Sequence, residues 1–152
     1  MMRRVAIVLM SAGLALPAVA DSAVGRWRFE TAEVNTCRLT GEMTIQPASN
    51  KSAGALACTF TITQACPGPP VIEIVTRQSC TGRQVNSYVT LDSKVETIVS
   101  VKPASRRADM EDRYAPDNFR VAIKPGGEEM TGTFVSIGQA FVRFVRVPDL
   151  SS

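Results

Sequence analysis

The chain contains no histidine, and this absence excludes several kinds of site at once. Histidine is the commonest general base and the most frequent imidazole ligand of metals. A Ser-His-Asp or Cys-His catalytic arrangement therefore cannot form. The four cysteines also lack the Cys-x-x-Cys spacing of a zinc site. We expect neither a metal ion nor a cofactor.

Aromatic residues and excess charge are scarce as well. Aromatic side chains make up 6% of the chain, with two tyrosines and one tryptophan. Two of the 17 basic residues, Arg3 and Arg4, lie at the N-terminus. The other 15 are nearly balanced by 14 acidic residues. A nucleic-acid interface needs clustered positive charge and stacking faces. The composition therefore excludes nucleic acid as the expected partner.

Long apolar runs are absent except at the N-terminus. Val5 to Leu16 is apolar, follows Arg3-Arg4, and precedes the small-residue stretch Pro17–Ala20. This order is typical of a secretory signal peptide cleaved between Ala20 and Asp21. Twelve residues are too few to cross a bilayer, which takes about twenty. We predict a signal peptide at 1–20, no membrane insertion after its removal, and a single domain at 21–152 in the periplasm or secreted.

The cysteines that are present predict two disulfides, since an even number in an exported chain pairs in this way. They are Cys37, Cys58, Cys66 and Cys80. A hairpin bend centred between Pro47 and Ala48 places the first cysteine opposite the second and leaves the third to pair with the fourth. A bend nearer Asn50-Lys51 instead joins the first to the third and the second to the fourth. We favour the first pairing.

Apolar and polar residues alternate with period two along most of the chain, which indicates half-buried antiparallel strands. The clearest case is 37–46, and turn residues such as Thr81-Gly82 and Asp92-Ser93 separate the segments. Eight or nine strands result, near 24–30, 37–46, 56–63, 71–78, 85–91, 95–101, 119–124, 130–137 and 140–147. Short strands joined by tight turns favour an all-β, up-and-down antiparallel barrel, because closure removes exposed edges. A β-sandwich is the alternative.

One segment, Ala104 to Arg113, interrupts this pattern. Arg107 with Glu111, and Asp109 with Arg113, are spaced i,i+4, which favours one short surface helix. The chain around it also holds the densest set of carboxylates, namely Asp109, Glu111, Asp112 and Asp117. These are the candidates for a carboxylate-dependent hydrolase. The arginines among them favour a salt-bridged surface, so we expect no catalytic residues and no enzyme.

The start of the first strand, Gly25-Arg26-Trp27, resembles the Gly-x-Trp opening of calycin barrels, which include the lipocalins. The resemblance implies that Trp27 packs across the closed end of the barrel beneath an arginine from a late strand. Arg143 and Arg146 are the two arginines in a suitable place.

A narrower resemblance is to the bacterial periplasmic metalloprotease inhibitors, and it covers about 35 residues from Gly25-x-Trp27 through Cys37 to Cys58. It implies a disulfide-linked barrel that binds a secreted protease through an extended N-terminal arm. The second cysteine pair is additional to that pattern. In this chain the arm would consist of Asp21, Ser22, Ala23 and Val24.

These features predict a non-enzymatic, exported binding protein with a protein partner, specifically an inhibitor of a secreted or periplasmic protease. A carrier of small apolar ligands, as in lipocalins, is the alternative. Inward positions such as Leu39, Met43, Phe60 and Ile62 would fill a solid core in the first case and line a cavity in the second. Since Met43 and Phe60 are large, we favour a filled barrel and a protein partner.

Overall fold

The alternating pattern folds into a closed antiparallel barrel of eight strands. The computed structural model describes residues 21–50 and 52–150, so the predicted signal peptide lies outside the described residues. Each strand pairs with its neighbours in sequence, and the first pairs with the last. The barrel prediction is confirmed and the sandwich is wrong. The strands are β1 Gly25–Thr31, β2 Arg38–Pro47, β3 Ala55–Cys66, β4 Ile72–Val85, β5 Tyr88–Lys102, β6 Asn118–Ile123, β7 Glu129–Val135 and β8 Gln139–Arg146.

Two predicted turns lie inside long strands. Thr81-Gly82 falls within β4 and Asp92-Ser93 within β5, and these strands are 14 and 15 residues long. The chain reverses at Asn86-Ser87, where Val85 pairs with Tyr88. Asn86 has φ of 54°, the positive value that a tight two-residue hairpin requires. Asparagine tolerates this conformation, so the turn needs no glycine.

The disulfides join Cys37 to Cys66 and Cys58 to Cys80. The favoured pairing of Cys37 with Cys58 and Cys66 with Cys80 is therefore wrong, and the alternative is right. Pro47 does not open the hairpin bend, because it still pairs with Leu56 across β2 and β3.

The bend thus falls in the following loop, and the β2–β3 register sets Ile45 opposite Cys58. The same register places the Cα atoms of Cys37 and Cys66 4.1 Å apart at the far end of the hairpin. Cys58 lies directly opposite Cys80 in the β3–β4 ladder, with their Cα atoms 4.9 Å apart.

The barrel interior is filled by side chains. Five of the six phenylalanines point inward, and the ring of Phe119 lies 5.2–5.8 Å from the rings of four others. Leu39, Met43, Phe60 and Ile62 are each at most 3% exposed. Edge-to-face contacts of this kind add to the free energy gained from burial alone. The four residues that could have lined a cavity therefore form part of a solid core.

A short helix packs outside the barrel between β5 and β6. A 3₁₀ turn, Ala104–Arg106, leads into α1, Arg107–Arg113. Both predicted i,i+4 ion pairs are present, Arg107 with Glu111 at 2.7 Å and Arg113 with Asp109 at 3.0 Å. Within the described part of the chain, no helix is long and apolar enough to cross a membrane.

Replacing Phe119 by alanine should lower the free energy of unfolding by about 3–5 kcal/mol, because it removes the ring that the other four contact and leaves a cavity. Urea denaturation measures this change. Phe141→Ala is the matched control, since that ring is 55% exposed and its loss should matter little. Equal destabilisation by the two variants would contradict the packing described here.

Candidate functional site

The end of the barrel at which β1 begins is closed by Trp27 and Arg146, and we call it the closed end. The indole is fully buried, and its Nε1 donates a hydrogen bond of 2.8 Å to the Ala23 carbonyl. The guanidinium carbon of Arg146 lies 4.3 Å from the ring centroid. This is cation–π geometry. Of the two arginines expected near Trp27, the structure places Arg146 over the ring, while Arg143 lies on the outer face and bonds Glu129 at 2.9 Å.

Arg146 also ties β8 to two other segments of the chain, the N-terminal residues and the β6–β7 loop. It donates hydrogen bonds to the carbonyls of Ser22 at 2.7 Å, Val24 at 2.8 Å and Gly127 at 2.8 Å. A planar guanidinium can serve three acceptors and a ring face together, which a lysine cannot. Gly25 belongs to the same arrangement, with φ of 142°, and a Cβ there would collide with the Arg146 side chain.

The N-terminal residues lie across the closed end and do not project from it. The Ala23 amide donates to the Gln84 side chain at 2.9 Å, and Gln84 donates in turn to the Asp21 carbonyl at 2.7 Å. Ala23 is fully buried. The expectation of a free arm formed by Asp21, Ser22, Ala23 and Val24 is therefore corrected: the segment is anchored, and only Asp21 and Ser22 are well exposed. Gln84, which the sequence pattern did not single out, supplies part of this anchor.

The opposite end, which we call the helical end, holds a buried polar cluster. Thr76, Gln78 and Asp117 are at most 1% exposed. Gln78 donates to the Asp117 carboxylate at 2.6 Å and accepts from the Asp117 amide at 3.1 Å, and the Tyr114 hydroxyl donates to the same carboxylate at 2.8 Å. The sequence signal for this cluster was two polar residues at inward positions of the β4 alternation.

Burial raises the pKa of both acidic groups in the cluster. Desolvation is the main cause for Asp117, and the hydrogen bonds from Tyr114 and Gln78 oppose it in part. Desolvation followed by the charge of Asp117 raises the pKa of Tyr114. No cation pairs with Asp117 among the described residues. The environment of the cluster therefore favours the neutral, protonated form of the Asp117 carboxyl group.

The carboxylates on the helix have a different environment. Asp109 bonds Arg106 at 3.4 Å and Arg113 at 3.0 Å, and Glu111 bonds Arg107. These pairs confirm the salt-bridged surface expected for that segment. Asp117 does not belong to it, because it turns into the barrel. In residues 21–50 and 52–150, no group of three or more Cys, Asp or Glu residues is placed to hold a metal ion.

A pocket of about 270 Å³ lies at the helical end between the helix and the β7–β8 turn. Ile74, Met110, Tyr114 and Ile137 supply most of its apolar lining. Ile137 is 65% exposed, so the pocket opens to solvent beside an apolar rim.

Comparison with known proteins adds no family to this description. No protein-family model matches the chain, and a search of curated proteins found no match. A functional conclusion therefore depends on the fold and on the geometry of its two ends and outer face.

Arg146→Ala should lower the free energy of unfolding by about 2–4 kcal/mol, because three backbone carbonyls lose a charged donor and the buried Trp27 loses its covering group. Denaturant titration of the variant measures this loss. Arg143→Ala is the control. Arg143 lies three positions from Arg146 and takes part only in an exposed ion pair, so its loss should cost much less. A loss no larger for Arg146 than for Arg143 would show that the closed end does not depend on this contact.

Asp117→Asn should flatten the pH dependence of stability. The folded chain favours protonated Asp117, so the wild-type free energy of unfolding should fall as pH rises from the usual pKa of 3.8 through the raised folded value. Asparagine keeps an acceptor for Tyr114 and Gln78 but cannot ionise. Urea denaturation between pH 3 and 8 measures both proteins, with the exposed Asp112→Asn as the charge-matched control. A wild-type minus Asp117→Asn difference that does not change with pH would contradict this account.

Proposed function

We propose that this chain is a non-enzymatic binding protein that acts outside the cytoplasm and takes another protein as its partner. The observation that carries the proposal is the filled interior. An eight-stranded barrel is wide enough either to be packed with side chains or to hold one small ligand. Here five phenylalanines and Trp27 occupy that space, which leaves the outer surface and the two ends for binding.

The chemistry of the side chains supports binding over catalysis. The chain has no histidine, and arginines neutralise Asp109 and Glu111. Asp117 is buried and already hydrogen-bonded by Gln78 and Tyr114. A general base must reach its substrate proton directly or through one water. The buried Asp117 cannot do so, and Asp109 and Glu111 are already held in ion pairs by arginines.

The two disulfides support an oxidising compartment, because reducing pathways in the cytosol keep thiols free. Together with the signal-like sequence at 1–20, they favour the periplasm or the extracellular space as the site of action.

The specific form that we propose is inhibition of a secreted protease, with the closed end as the contact surface. Asp21 and Ser22 are exposed there, while Arg146 and Gln84 hold the backbone beneath them in place. A segment ordered before binding loses little conformational entropy when a partner closes on it. This rigidity compensates for the short length of the segment.

The test uses protein that begins at Asp21 against a panel of secreted metalloproteases. We expect at least one to be inhibited at micromolar concentration or below. Removing Asp21 and Ser22 should weaken inhibition at least tenfold, and it leaves Ala23 and Val24 to satisfy Trp27 and Arg146. Replacing the exposed Ile137 by serine at the helical end is the control and should leave inhibition unchanged. Thermal melting of all three proteins checks that each is folded.

Failure to slow any protease in the panel would overturn the inhibitor form. Equal weakening by the N-terminal truncation and by the helical-end substitution would remove the closed end as the contact surface.

A carrier of small apolar ligands is the second candidate, and the 270 Å³ pocket at the helical end is the observation that favours it. That volume is slightly below the range usual for drug-sized ligands. Native mass spectrometry of protein purified from its own host separates the candidates, because a carrier would retain an apolar molecule.

A further inference from the structure

The outer face of β1 to β4 carries a shallow polar depression. Its volume is about 250 Å³. We call it the arginine–threonine depression, and the outward side chains that line it are Arg26, Glu42, Thr44, Thr59, Thr61 and Arg77.

Strand register explains its shape. Arg26, Thr44 and Thr59 are successive cross-strand partners in one row. Glu42, Thr61 and Arg77 form the next row. The three short threonines form the floor of the depression. Arg26 is on β1 and Arg77 is on β4, so the strands that carry them lie about 14 Å apart across the sheet. A ligand lying over the threonine hydroxyls would therefore meet a guanidinium on each side.

The charges in the depression are unbalanced. Arg26 and Arg77 are both exposed, and neither forms an ion pair within residues 21–50 and 52–150. The one carboxylate in the lining, Glu42, already bonds Arg28 at 3.2 Å. The arginines of the helical segment, by contrast, have carboxylate partners. Two positive charges thus remain for a ligand.

The floor is held rigidly from beneath. Trp27, Met43 and Phe60 alternate with the floor residues and are at most 3% exposed. The Cys58–Cys80 disulfide joins β3 to β4 beside the Thr59–Ser79 pair. The separation of the two arginine Cα atoms is therefore set by the barrel before any ligand arrives.

We propose that the arginine–threonine depression binds an acidic segment of the protein partner, with carboxylates paired to Arg26 and Arg77 and with the threonine hydroxyls bonding the segment's backbone. This inference rests on the proposed function. Guanidinium and carboxylate match in forked geometry and form strong charge-assisted hydrogen bonds. No exposed aromatic ring lines the depression, so a nucleic acid would find no stacking face.

The test measures binding of a fluorescein-labelled ten-residue peptide of alternating Glu and Gly by fluorescence anisotropy at low salt. The same peptide with Gln for Glu is the neutral comparison. The variant Arg26→Gln/Arg77→Gln removes both guanidinium groups. Arg38→Gln/Arg83→Gln is the matched control, since it makes the same charge change at two exposed arginines outside the depression that also lack ion pairs in the described chain.

We expect the acidic peptide to bind with a Kd below 1 mM, at least tenfold more tightly than the neutral one. The depression variant should weaken binding at least tenfold, and the control by less than twofold. Equal weakening by both variants would show attraction to net charge alone and overturn the site. No binding at 1 mM would overturn it too.

A parallel arm with dextran sulfate tests the other source of negative charge. Binding of dextran sulfate through Arg26 and Arg77 without binding of the peptide would overturn a protein partner at this face. The peptide assay contains no protease, so its failure leaves the inhibition result standing. Conversely, a failed protease panel does not affect the comparison of the two arginine variants.

Discussion

The pairing of β1 with β8 is the constraint on which the rest of the structure depends. It sets Trp27 opposite Arg146, residues 119 positions apart in the chain, and so forms the closed end. The guanidinium then satisfies carbonyls from both the N-terminal segment and the β6–β7 loop. A single side chain thus completes the barrel's closure, covers its tryptophan and orders the residues before β1. Closure also turns the alternating faces of all eight strands into one inside and one outside.

The inside and the outside then have different roles. The interior is dominated by aromatic and aliphatic side chains, whose packing supplies stability and leaves little room for a ligand. Among the buried polar residues, Thr76, Gln78 and Asp117 satisfy one another at the helical end, so they cost less than isolated buried groups would. The side chains available to contact a partner therefore lie on the anchored N-terminal segment, at the helical end and on the outer faces of the strands.

The two candidate contact surfaces share one physical property, which is that the barrel orders them in advance. At the closed end, Arg146 and Gln84 hold the backbone under Asp21 and Ser22. On the outer face, strand register and a disulfide set the separation of Arg26 and Arg77. Such surfaces need little ordering of the backbone on association, which suits a small protein that binds others without changing shape.

Local patterns in the sequence determined the all-β class, the closed barrel, the helix with its two ion pairs, and the presence of two disulfides. The all-β class and the barrel follow from period-two alternation, the helix and its ion pairs from i,i+4 spacing, and the disulfides from an even number of cysteines after a signal-like segment. The disulfide pairing, the true turn at Asn86-Ser87 and the anchored state of residues 21–24 were decided by tertiary structure. A four-residue shift in the β2–β3 bend changes every cross-strand partner, and turn residues alone do not specify it. Likewise, Arg143 and Arg146 look equivalent in the sequence, and only their positions on opposite faces of β8 place one over Trp27 and the other in solvent.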